Sequence, residues 1–165
     1  MNSAVESFRL APMSGVIRTL TVALCVLPVA LMASAAFYRG LAVPALLMLA
    51  IYAWVWLRFR PTRFDVHPWG LEVVWPFKRR TLRRDEISVV RLVGTRELRS
   101  EIGWCLRIGA GGLWGAFGWL WTSRRGIIQM YVSRTDGFVW IERAHGKSWL
   151  ITPERPEAFV RALER

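Results

Sequence analysis

The chain has 165 residues, 53% of them hydrophobic, with 23 Lys and Arg against 12 Asp and Glu and a net charge of +11. That length holds one domain and a small anchor, which excludes two independent globular domains. Two cysteines and two histidines exclude a disulfide framework and a His/Cys zinc site, and the excess of base favours polyanionic neighbours.

Apolar residues are concentrated early. From Thr19 to Leu57 the single charge is Arg39, whereas beyond Arg58 charges recur every few positions. Residues 1–18 read as a cytoplasmic N-terminal segment and 19–57 as a transmembrane helical hairpin. Leu20 to Phe37 and Leu41 to Leu57 are free of charge, with 18 and 17 residues. At ~1.5 Å per residue a helix needs roughly 17–25 residues to cross the hydrocarbon layer, so both qualify. Tyr38, Arg39 and Gly40 form a connection short enough to force the helices antiparallel. Pro44 falls in the first turn of its helix, where a missing N–H costs little, and Pro28 predicts a bend in the first. Arg9, Arg18, Arg58, Arg60 and Arg63 flank the pair, against Arg39 alone in its loop. The positive-inside rule therefore predicts both ends in the cytoplasm. Two rivals are weighed. Ala33-Ser34-Ala35 resembles a signal-peptidase site, and cleavage there would leave one span and an external domain. Two buried helices of a soluble core would need a polar face, which neither stretch has.

Residues 62–165 change to short apolar segments broken by turns. Arg63 to Val66 leads through His67-Pro68-Trp69-Gly70 into Leu71, Val73 and Trp75, which share one face at the strand period. Pro76-Phe77 breaks the run, Arg79 to Leu82 returns, and Ile87 to Val93 is another strand. Gly94 to Ser100 reads as a polar stretch, followed by a strand at Trp104 to Ile108. Ile128, Met130 and Val132 alternate with Gln129, Tyr131 and Ser133. Asp136-Gly137 signals a hairpin into Phe138 to Ile141, and His145-Gly146-Lys147 turns into Trp149 to Ile151. About seven strands result, at the spacing of a sandwich or barrel. Thr152-Pro153-Glu154 offers helix-start residues, with Pro156 able to move the start later, and Phe159 and Leu163 lie one turn apart on the closing helix.

The run GIIQMYVSRTDGFVWIERAHGKSWLITPERPEAFVRALER, with GLEVVWPFKRRTLRRDEISVVRLVG upstream, resembles the bacterial pleckstrin-homology-like family. Ile151-Thr152-Pro153 and Pro156-Glu157-Ala158-Phe159 match its recurrent corner and helix start. The resemblance spans about Arg63 to Arg165 and is weakest from Gly94 to Thr122. It implies an all-β barrel of seven strands in two nearly orthogonal sheets, capped by the C-terminal helix. It also implies company among membrane-anchored members, and it supplies no catalytic residue.

Two segments are candidate lipid or partner contacts. Lys78, Arg79, Arg80, Arg83 and Arg84 put five bases in seven positions, worth roughly 1 kcal/mol each towards anionic lipid near a membrane. The plainer alternative is a solvated strand edge whose arginines discourage edge pairing. Gly109 to Arg125 combines five glycines with Trp114, Phe117, Trp119 and Trp121, then Arg124 and Arg125. Its glycines lack phosphate-loop order. Either its aromatics dip into the bilayer or meet a partner, or the segment is a long barrel loop folded onto the core. Asp85-Glu86 fits a turn or cap better than an acid/base pair. No cofactor, metal or catalytic constellation is read, and neither a helix-turn-helix nor a zinc-finger pattern points to nucleic acid. The expectation is an integral, multi-pass, non-enzymatic interaction module of a bacterial inner membrane, binding anionic headgroups, a protein partner or a second copy. A small structural subunit of a larger membrane complex is the alternative, and an unrecognised enzyme the remoter one.

Overall fold

A computed structural model describes residues 5–165; the first four residues of the N-terminal segment lie outside the described residues. The elements run β1 (Glu6–Arg9), α1 (Gly15–Ala35), α2 (Ala42–Phe59), β2 (Arg63–His67), β3 (Gly70–Val74), β4 (Arg79–Arg83) and β5 (Ile87–Val93). Then come α3 (Thr95–Ile102), β6 (Cys105–Gly111), β7 (Ala116–Thr122), β8 (Gly126–Val132), β9 (Phe138–Arg143), β10 (Trp149–Ile151) and α4 (Pro156–Glu164).

Both apolar runs are helical and each is long and apolar enough to cross a membrane. Their side chains are largely exposed in the isolated chain, as lipid-facing residues would be. A short 3-10 turn at Arg39–Leu41 joins them, and the Tyr52 hydroxyl donates to the Leu24 carbonyl across the pair at 2.9 Å.

The N-terminal segment joins the domain. Its residues 6–9 are a strand, paired antiparallel with β2 so that Phe8 faces Phe64. Phe8 packs edge-on against Phe159 of α4 at 5.2 Å, and both are buried with Leu10 in the main core. Burying such side chains is worth ~1.5–3 kcal/mol each, enough to hold a four-residue strand. The α1–α2 pair is therefore an excursion between two neighbouring strands. Its two ends lie on the same side of any membrane it crosses.

The domain is not a closed barrel of about seven strands. Among the described residues it has ten strands in two sheets, β1-β2-β3-β4 and β5-β9-β10-β8-β7-β6. One face of the larger sheet packs on the smaller sheet and on α4, through Phe117, Tyr131, Val139, Ile141, Trp149 and Ile151. Its other face packs on Leu98 and Ile102 of α3, through Leu120, Ile128, Met130, Trp140 and Leu150. Strands covered on both sides read as continuous apolar runs, which accounts for Phe138 to Ile141 and Trp149 to Ile151.

Three further expectations change. Gly94 to Ser100 enters α3, whose start is held by the Gly94 N–H donating to the Glu97 carboxylate at 3.4 Å. Asp136-Gly137 does form a turn with positive φ at Gly137, but β8 and β9 are not partners; β10 lies between them, parallel to β8 and antiparallel to β9. Gly109 to Arg125 is mostly the β6–β7 hairpin, with register Leu106 to Trp121 and Ile108 to Trp119. The closing helix starts at Pro156 and not at Thr152-Pro153-Glu154, where Pro153 instead bridges to Leu10, and Phe159 and Leu163 are buried.

Candidate functional site

The five-base cluster is divided by the strand that carries it. Along β4, Arg79, Thr81 and Arg83 point to solvent, while Leu82 is buried and Arg80 shares its inward side. The outward bases meet acids: Arg79 lies 3.8 Å from Glu72 and Arg83 2.8 Å from Asp85. Arg84 and the Asp85-Glu86 pair form a short 3-10 turn, and Glu86 takes an ion pair from Arg143. Arg80 instead reaches between the sheets, donating to the Gln129 amide oxygen at 3.1 Å and standing over the Trp149 ring at 5.0 Å.

That reach ends in a cavity of about 390 Å³ between the end of α2, the β3–β4 turn and the larger sheet. Arg58, Lys78 and Arg80 line it, and none of the three has a carboxylate within ion-pair distance among the described residues. Lys78 stands over Trp75 at 4.5 Å, and the Trp75 indole N–H donates to the Phe59 carbonyl at the end of α2. Burial pushes the Lys78 ammonium below its ordinary pKa, and repulsion from Arg58 and Arg80 adds to this. The rear wall is fixed by Gln129, whose oxygen also accepts from the Trp119 indole at 3.0 Å and whose amide nitrogen donates to Gly118 at 3.1 Å. Burial raises the Tyr131 hydroxyl, with Arg80 opposing the shift. Gly109 and Gly118 face each other on β6 and β7 with φ of 138° and 126°. A Cβ on either would fall within 2.5 Å of the partner strand's carbonyl, so bare backbone lines this part of the cavity.

The Gly/Trp segment separates into three environments. Its tip, Gly112 to Gly115, is pressed against the helices: the Trp114 N–H donates to the Thr21 hydroxyl at 3.0 Å, which lies 2.9 Å from the Gly112 carbonyl. Trp114 sits edge-on to Trp56 at 4.8 Å and to Tyr52 at 6.3 Å. A side chain at Gly112 would crowd Leu20 and Leu24. Phe117 is wholly buried in the core. Phe117 is thus structural and no longer a contact residue, whereas Trp114 is half-buried against the helices. Trp119 and Trp121 remain exposed on one face with Leu106, Ile108 and Ile127. Arg125 is paired with Glu101 and Glu142, whereas Arg124 donates only to the Ser100 carbonyl.

A family described as "Bacterial PH domain" has a sequence model that matches residues 62–165. The chain belongs to the bacterial PH domain family. No curated protein and no solved structure matches it. In this bacterial PH domain the sheet begins before the matched region, because β1 precedes the helices. Membership brings the general role of a protein or lipid interaction module. Among the described residues no group of three His, Cys, Asp or Glu side chains could hold a metal ion. The site residues that sequence reasoning missed are Arg58, Trp75, Gln129 and Tyr131. Arg58 alone carried a signal, as the first charge after the second apolar run.

Proposed function

We propose that the chain is a membrane-anchored, non-enzymatic interaction module, working at the cytoplasmic face of a bacterial inner membrane and receiving a protein partner on its β6–β7 face. One observation carries this reading. Leu106, Ile108, Trp119, Trp121 and Ile127 form a contiguous uncovered patch on a sheet whose interior residues are otherwise buried on both sides. Beside it β6 is the last strand of its sheet, with backbone groups free to pair. Lys147, over the Trp119 ring at 5.3 Å, borders the patch without a carboxylate partner among the described residues. The partner that fits is a protein segment with apolar side chains and flanking carboxylates. A second copy fits less well, since each carries +11.

Photo-crosslinking tests this in native membranes with the full chain. A crosslinker in place of Leu106 should give one discrete protein adduct, weakened by salt and abolished by adding Trp121→Glu. The same crosslinker at Arg83 should give none. Adducts with lipid alone, or at twice the mass of the chain, would overturn the reading in favour of the bilayer or of a second copy.

A further inference from the structure

The cavity at the end of α2 does not stand alone. Beside it lies a groove of about 280 Å³ lined by Trp54, Leu57, Arg58, Phe77 and Lys78. The two spaces share Arg58 and Lys78, and they differ in chemistry. The groove presents almost nothing but carbon, while the cavity presents three cations, an amide and a phenol. The cavity falls in the size range of sites for small organic ligands, and the groove lies just below it. The wall common to both is the last two turns of α2, where a membrane-spanning helix meets the headgroup layer. Trp54 and Phe77, 61% and 79% exposed, lie at the mouth of the groove.

The cations exceed what their surroundings need. A helix C-terminus carries about half a negative charge, so the end of α2 balances only a fraction of Arg58, Lys78 and Arg80. Every base on the outward side of the same strand has an acid beside it, and these three have none among the described residues. Arg80 is held in place through Gln129, itself fixed by Trp119 and Gly118, so one wall is set before any ligand arrives. A ligand filling both spaces is anionic at one end and apolar at the other.

We propose that this junction is a phospholipid site, with the phosphate of an anionic lipid between Arg58, Lys78 and Arg80 and the start of an acyl chain against Trp54 and Phe77. The site rests on the membrane-spanning reading, and its cavity borders the β6–β7 partner face, since Ile108 and Trp119 line both, whereas Leu106 and Trp121 belong to that face alone. Lipid entering from the bilayer would join the domain to the end of α2, adding a third attachment to those at Thr21 and Trp75.

The test uses the full chain, delipidated in neutral detergent and titrated with phosphatidylglycerol, phosphatidylcholine or inorganic phosphate, with bound lipid counted by native mass spectrometry. Phosphatidylglycerol should be retained in preference to phosphatidylcholine. Lys78→Gln should weaken it about fivefold, and Arg58→Gln with Lys78→Gln about thirtyfold. The exposed controls Arg79→Gln and Arg83→Gln should bind as the parent does, and Phe77→Ser should weaken lipid. Circular dichroism checks that each variant is folded. Equal loss in the Arg79 and Arg83 variants, or equal retention of phosphatidylcholine, overturns the site. Full displacement of lipid by inorganic phosphate at matching concentrations would overturn the lipid and assign a soluble phosphate compound instead. The crosslink at residue 106 is read separately, so either proposal can fail alone.

Discussion

The two sides of β4 carry the same residue type to opposite ends. On one side Arg79 and Arg83 stand in water with Glu72 and Asp85 beside them. On the other, one residue away, Arg80 enters a crevice where its nearest charged companions are Lys78 and Arg58. A sequence window sees five bases and one charge density. Strand geometry turns them into a neutralised surface and a concentrated positive pocket, and only the second has unmet electrostatic demand. A basic run is therefore better read by the parity of its positions than by its sum.

Substitutions along the strand sharpen this contrast, and the largest effect belongs to the inward side. Leu82→Ala should cost ~2–5 kcal/mol by emptying a core position, whereas Thr81→Ala should stay within ~0.5 kcal/mol. Equal losses in denaturant unfolding of the full chain in detergent would break the distinction. Arg80→Ala removes the donor to Gln129 and should cost about 1 kcal/mol, against less than ~0.5 kcal/mol for Arg79→Ala or Arg83→Ala with their exposed pairs. The same melts decide it. Two titrations probe the pocket more gently. Arg80 holds the Tyr131 pKa down against burial, so Arg80→Ala should raise it further, followed by absorbance of the tyrosinate. A raised tyrosine keeps its proton longer in the folded state, so its contribution to stability is lost as pH climbs from the ordinary tyrosine pKa to the folded one. The smallest effect concerns Lys78, whose lowered pKa has the opposite sign. The unfolded chain binds that proton more tightly, so stability rises with pH between the folded value and the ordinary lysine value. Arg58→Gln should move Lys78 back up. With Lys147 the only other lysine, nitrogen-labelled lysine resonances would show it.

Legibility followed the range over which each signal acts. The two apolar helices were plain because a long charge-free run is a local property. The C-terminal helix was plain because Pro156, Phe159 and Leu163 lie within two turns. β1 was invisible: Glu6, Ser7 and Arg9 surround a single apolar side chain, and its partner strand lies more than fifty residues on. α3 offered only Leu98 and Ile102 as buried residues, too few to reveal a helical period. In the β6–β7 hairpin, glycines chosen for close backbone approach suppressed the alternation that marks a strand. The candidate pocket draws Arg58, Arg80 and Gln129 from three elements, and no window of sequence holds all three. Trp114 and Phe117 misled because an aromatic's fate depends on its neighbours in space: one seals the helix junction and the other fills the core.

The pairing of β1 with β2 also has a meaning for how the protein is made. During synthesis β1 is made before β2 and has no partner until both helices and residues 63–66 have followed. Phe8 and Leu10 are the pieces kept waiting. Were the pair to cross a membrane with its ends on opposite sides, β1 would be parted from its slot and the domain left with an open, apolar seam. A correctly inserted hairpin returns the chain to where its first strand already stands. Closure of the sheet thus requires the two ends of the helical pair to lie together.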